Sequence, residues 1–283
     1  MTQSDHAYLS VLSWPAGFTD DQKIEALVMA AALDPHQARM ATHRSTPGVI
    51  CSIDTIIAKE VLRVLHKLGI LALAPTQNQL DNYPKAELPA NVEVFPEKEL
   101  GAFAVRTRDG GAWTFQAPEL KMVVFGKART TTTSIRSEPT MGSSYAAMAP
   151  AGAAAGAAMR GDMRHIKQDH RLSVKPMLDL HIDHLTDNGI KRRLVRLVGG
   201  RTRIGLIGDG DPRPSLLDDN TPVDDLRELA PDTRYDLGFA NFTPPPDAQY
   251  RSLHGGDGTS RLSADAFMFY SPWTAIMDTM LHG

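Results

Sequence analysis

The hydrophobic pattern of this chain changes period once. Between residues 7 and 75, helical spacings of apolar residues alternate with short apolar runs, and from residue 101 the period becomes two. A 3.6-residue period buries one face of a helix, and a two-residue period buries one face of a strand. The pattern therefore predicts an α+β protein: a small α/β domain over residues 1–78 and a β-rich domain over residues 101–283. Residues 79–100, with Pro84, Pro89 and Pro96, read as a Pro-rich connector.

In the first domain, Tyr8–Leu12 reads as a strand. Thr19 followed by Gln22 is a capping-box signal for a helix with Ile24, Leu27, Val28 and Ala31 on one face. Asp34-Pro35 starts a second helix through Met40, and Val49–Cys51 is a short buried strand. Ser52 is expected to cap a longer helix with Ile53, Ile56, Ile57, Val61, Val64, Leu65 and Leu68 as its apolar stripe, and Gly69 closes it. Ile70–Leu73 is the last strand. The resulting βααβαβ sandwich resembles the C-terminal domain of the bacterial ribosomal stalk protein. The shared features are the paired helices, the short strand before the long third helix, and Leu68-Gly69 followed by a strand. The resemblance covers residues 7–75 and implies that fold. The stalk domain docks translation GTPases through a lysine-rich helical surface. The helix Pro35–Thr42 lacks that lysine cluster, so GTPase binding is not carried over.

In the second domain, Phe103–Thr107 and Ala112–Gln116 flank Asp109-Gly110-Gly111, a hairpin signal, and Leu120–Phe125 is a third strand. Residues 130–171 lose periodicity and read as a flexible linker. Thr140–Met159 carries no charge, but its Ala, Gly and Ser content and Pro150 make it a poor membrane span. Strand character resumes over Met177–Asp183. The turn Asp187-Asn188-Gly189 leads back through Arg193–Val198, and Gly199-Gly200 turns again into Thr202–Ile207. Thr221-Pro222 starts a short helix, and Ser271-Pro272 is expected to start the final one, with Trp273, Ile276, Met277 and Met280 at helical spacing. Strands followed by a C-terminal helix resemble pleckstrin-homology-like folds, from which the helix near residues 222–230 departs. Three strands over residues 101–127 have no covering helix of their own. The linker is therefore expected to interrupt one mostly antiparallel β domain.

A net charge of −3 argues against a surface devoted to nucleic acid. The single cysteine, Cys51, excludes an intrachain disulfide and a cysteine zinc cluster, and is expected to be a small buried hydrophobe. The polar start Met1–Ser10 has no leader-like pattern, so a cytoplasmic protein without a membrane span is expected. No phosphate-binding glycine loop, nucleophile elbow or complete calcium loop is present, and no cofactor is expected.

Two clusters are candidate sites. Asp179, His181 and Asp183 alternate with Leu178, Leu180 and Ile182, so they share the polar face of a strand. Oxygen and imidazole donors on one face are candidate metal ligands for a metal-dependent hydrolase. An antiparallel sheet commonly exposes one face, however, and a solvated strand face is the expected role. Arg192, Arg193, Arg196, Arg201 and Arg203 form a basic hairpin, a candidate anion or nucleic-acid site. No aromatic residue is interleaved for base stacking, and the acidic residues that follow can neutralise it. Trp113, Phe115, Phe125 and Trp273 read as core anchors. With no convergent acid, base and nucleophile, the chain reads as a non-catalytic adaptor or regulatory binding protein whose partner is another protein.

Overall fold

The computed structural model describes residues 6–95, 101–138, 165–186, 189–199, 203–208, 210–216, 221–245 and 263–282. The first lobe contains β1 (His6–Ser13), α1 (Asp20–Ala31), α2 (Pro35–Thr42), β2 (Gly48–Asp54), α3 (Thr55–Lys67) and β3 (Leu71–Leu73). Its sheet has the order β2-β1-β3, with both pairings antiparallel. Local chemistry sets the helix ends. Thr19 and Gln22 form the reciprocal capping box of α1. Asp34 accepts from the His36 and Gln37 amides at the start of α2. Gly69, at φ +77°, supplies the left-handed residue after α3.

The cap of α3 differs from the sequence expectation. Asp54, not Ser52, accepts from the Ile56 amide at 2.8 Å, because β2 continues to Asp54 and the helix starts later. The inward stripe is consequently Ala58, Val61 and Leu65, and Ile56 is left 85 % exposed.

The described part of the connector is structured. It contains α4 (Gln77–Asp81) and β4 (Asn91–Phe95). Beyond it come β5 (Ala102–Arg106), β6 (Ala112–Gln116), β7 (Leu120–Glu138), β8 (His165–Thr186) and β9 (Gly189–Val198). Then follow β10 (Arg203–Gly208), β11 (Gly210–Leu216), α5 (Thr221–Leu229), β12 (Arg234–Asp236) and α6 (Ala264–His282). A five-stranded sheet has the order β11-β10-β4-β5-β6, and a four-stranded sheet the order β12-β7-β8-β9. Most pairings with a defined register are antiparallel, but β10 runs parallel to β4 and β12 parallel to β7. After β9 the chain crosses to the other sheet instead of extending the same one.

The two sheets enclose one core. Val92, Phe103, Val105 and Phe115 of the first meet Val123, Leu178, Leu180 and Val195 of the second, and Val223 and Leu226 of α5 join them. A second core lies on the far side of the four-stranded sheet. There Met122, Val124, Met177 and Leu194 pack on Phe267, Tyr270, Trp273 and Met277 of α6. Tyr8 and Val49 of the first lobe belong to the same cluster, so α6 is buried between the sheet and that lobe. Phe115, Phe125 and Trp273 are buried as expected of core anchors. Trp113 is half-buried, with the Arg193 guanidinium 3.5 Å from its ring centre. Cys51 is buried in the core of the first lobe.

Two further differences concern boundaries. Strands β7 and β8 reach Glu138 and begin at His165, within the segment expected to be a linker. The run of threonines from Thr130 favours extended backbone without showing apolar alternation. Thr140–Met159 lies outside the described residues. The chain divides into two compact units, one of residues 1–128 and 175–283, the other of residues 129–174. Helix α6 starts seven residues before Ser271, with the Ala266 amide bonded to the Ser263 hydroxyl, and Pro272 lies inside it. Among the described residues no helix is long and apolar enough to cross a membrane.

Candidate functional site

Two of the three candidate polar residues of β8, Asp179 and His181, do not face solvent. Strand β8 is internal to its sheet, and over Met177–Ile182 both of its faces are covered. Leu178, Leu180 and Ile182 enter the core between the sheets, while the alternate face lies under α6. Asp179 is fully buried and His181 is 3 % exposed. The expectation of a solvated face fails because it took one side of the sheet to be open; the apolar stripe of α6 closes that side.

Each of these groups has an internal partner. The antiparallel register places Asp179 opposite Arg196 and Asp183 opposite Arg192. The Asp179 carboxylate accepts from Nε and Nη2 of Arg196 at 2.7 and 2.6 Å. Such a fork-to-fork arrangement satisfies a buried charge pair geometrically. Asp183, nearer the rim, accepts from Arg192 Nε at 3.1 Å. His181 uses both ring nitrogens: Nδ1 is 2.7 Å from the Tyr83 hydroxyl, and Nε2 is 2.9 Å from the Ser271 hydroxyl. A neutral imidazole has one donor and one acceptor nitrogen, and hydroxyls can serve both. Burial holds the His181 pKa down at about 4, opposed by Asp179 and reinforced by Arg196. Burial likewise raises the Tyr83 phenol well above its ordinary value.

This geometry answers the two site expectations residue by residue. Asp179, His181 and Asp183 are brought to one face but do not converge: Asp179 is committed to Arg196, and His181 has no free nitrogen for a metal. Among the described residues no cluster of three His, Cys, Asp or Glu side chains has the geometry to hold a metal ion. The basic residues do not form one hairpin either. Arg192, Arg193 and Arg196 lie on β9, whereas Arg203 opens β10 in the other sheet and Arg201 lies outside the described residues. Arg193 donates to both Glu87 carboxylate oxygens at 2.8 Å, so the three β9 arginines are all paired with carboxylates.

Tyr83 and Glu87 carried no signal in the sequence, and Ser271 was read only as the start of the last helix. Glu87 seals the connector to β9: its amide donates to Leu194 O and its carbonyl accepts from the Arg196 amide, both at 2.8 Å. The Ser271–His181–Tyr83 chain has the spacing of a nucleophile, a base and an orienting group. Access distinguishes it from one. A cleft of about 370 Å³ between Tyr83, His181, Arg192, Asp278 and His282 reaches the imidazole. Ser271 is fully buried on the other side of the ring. A second cleft of about 640 Å³ lies between β6 and the ends of β8 and β9. Comparison with known proteins finds no matching family model, no matching curated protein and no matching solved structure.

Proposed function

We propose that the protein is a non-catalytic adaptor or regulatory binding protein. The observation that carries this reading is the commitment of its chemically capable groups to one another. Asp179 pairs with Arg196, and His181 is enclosed between Tyr83 and Ser271. Catalytic groups must reach substrate, and a fully buried serine and a carboxylate neutralised by a buried arginine do not. The network instead joins the connector, the central strand and the last helix, which gives it a scaffolding role. Surface clefts beside this scaffold are then available for a partner.

The test is a fluorophosphonate probe of activated serines together with cross-linked co-purification from the native cell. The expected outcome is an unlabelled Ser271 and a protein partner recovered near stoichiometry. Stoichiometric labelling of Ser271, abolished by Ser271→Ala, would establish a hydrolase instead.

A further inference from the structure

We infer that the outer edge of β6 docks an extended peptide as an added strand, with an acidic side chain of that peptide against Lys121. The inference rests on the adaptor reading and names its site and partner chemistry.

Strand β6 ends the five-stranded sheet. The Ala117 amide donates inward to Gly101 O at 3.0 Å, and the register pairs Phe115 with Phe103. Antiparallel backbone groups alternate in direction, so Ala112, Thr114 and Gln116 present theirs outward. The Gln116 amide is taken by Glu119 Oε2 at 2.6 Å. Among the described residues, no strand pairs with the outward groups of Ala112 and Thr114.

Natural sheets guard such edges with charge, proline or a bulge. The opposite edge strand of this sheet, β11, carries Pro212, Arg213 and Pro214. Strand β6 reads Ala-Trp-Thr-Phe-Gln, with no charge and no proline, and its register with β5 is unbroken. An unguarded edge is a template for strand addition.

The neighbouring cleft supplies the contacts that give such addition its selectivity. Thr114 and Gln116 line one side, and Leu185 and Ile190 the other. Leu185 and Ile190 face each other across β8 and β9 and are 67 % and 69 % exposed. An added strand projects alternate side chains to one face, and apolar ones would cover this pair. The charged groups of the cleft are mostly matched: Glu119 holds His184 and the Leu185 amide, and Asp183 holds Arg192. The Lys121 ammonium contacts only a neutral group, the Pro118 carbonyl at 2.9 Å, among the described residues. Its charge therefore selects an acidic peptide.

The test is selection of a random seven-residue displayed peptide library on the whole protein, followed by amide chemical-shift mapping with the enriched synthetic peptides. Alternating apolar peptides with an acidic residue are expected, shifting Ala112 and Thr114 most. Thr114→Pro removes only an outward amide donor, which edge strands tolerate, and should weaken binding at least tenfold. Lys121→Glu, an exposed change that leaves folding intact, should reverse the preference to basic peptides. Enriched peptides that map elsewhere, or an unchanged charge preference in Lys121→Glu, would overturn the edge site and leave the adaptor reading standing. Absence of any enrichment would also overturn the edge site, whereas the adaptor reading stands or falls on co-purification. Concentration-dependent broadening of the same amides without peptide would assign the edge to a second copy of the chain and overturn the peptide site.

Discussion

The Trp273 indole nitrogen donates to the Ser10 hydroxyl at 3.1 Å, and both residues are buried. Ser10 in turn donates to Tyr8 O at 2.9 Å. This contact ties the first strand to the last helix, and the ring of Trp273 also packs against Phe242 and Tyr270. A helix that fills the space between a lobe and a sheet makes those two layers thermodynamically dependent on each other.

Trp273→Ala is accordingly expected to cost about 3–5 kcal/mol, the range for deleting a large aromatic from a core. Ser10→Ala leaves the indole N–H unsatisfied and should cost about 1–3 kcal/mol. Urea unfolding followed by fluorescence and by circular dichroism checks both. A single coincident transition is expected, and two separated transitions would show that the lobe folds independently of α6.

Gly126→Ala tests how tightly the second core is closed. A Cβ built at Gly126 falls 2.4 Å from Phe239 Cδ1 and 2.9 Å from its Cβ, so the ring must move. Phe239 is 1 % exposed and packs edge-to-face on Phe267 and at a tilt against Tyr270, which leaves it little room. Overpacking of this kind typically costs about 1–3 kcal/mol. The cost should fall in a Phe239→Leu background, and equal losses in both backgrounds would show that the glycine is needed for another reason.

Local signals in the sequence carried the first lobe. The Thr19–Gln22 box, Asp34-Pro35 and Gly69 act within a few residues of themselves, and the α+β class follows from them and from the period change. The turn at residues 187–189 carried more than the register of a hairpin. Pairing Thr186 with Gly189 places Asp179 opposite Arg196 and Asp183 opposite Arg192. Those partners were legible in principle, as a two-residue turn fixes register. The burial of the same face was not legible, because its cover comes from a helix far along the chain. Ser271 lies 90 residues from His181, and Tyr83 lies 98 residues from it. No spacing rule operates over that distance. The crossing of β10 to the opposite sheet is likewise a long-range choice, made by pairing with β4.

The Asp179–Arg196 pair should show strong non-additivity. Removing either partner leaves an uncompensated buried charge, which typically costs about 3–5 kcal/mol. Asp179→Leu and Arg196→Met should each fall in that range, and the double variant should recover most of the loss. Arg196 also lies 5.6 Å from the Phe267 ring centre, so some packing is lost with it. A double-mutant cycle measured by urea denaturation reads the coupling. Additive losses would mean that the two side chains act separately. The wild-type protein should show no zinc-dependent rise in melting temperature, since Asp179 is already held by arginine.

Acid stability depends on His181. Its pKa in the folded protein is about 4, against an ordinary value of 6.5, because burial penalises the imidazolium. Below pH 6.5 the unfolded chain takes up a proton that the folded one refuses, so protonation favours unfolding. The contribution is intact above pH 6.5 and is lost progressively as pH falls toward 4, reaching on the order of 3 kcal/mol. Protonation also places a cation beside Arg196 and Arg192, with Asp179 and Asp183 to offset it. Tyr83 and Ser271, the direct partners of the ring, carry no compensating charge. His181→Gln keeps hydrogen-bonding capacity and removes the titration. Carboxylates elsewhere titrate alike in both proteins, so the difference between the two stability profiles isolates this group. The wild type should lose stability more steeply than His181→Gln between pH 6.5 and 4, and the two profiles should run parallel above pH 7. Parallel profiles throughout would mean that His181 titrates equally in the folded and unfolded chains, and the seam between β8 and α6 would then be open to water.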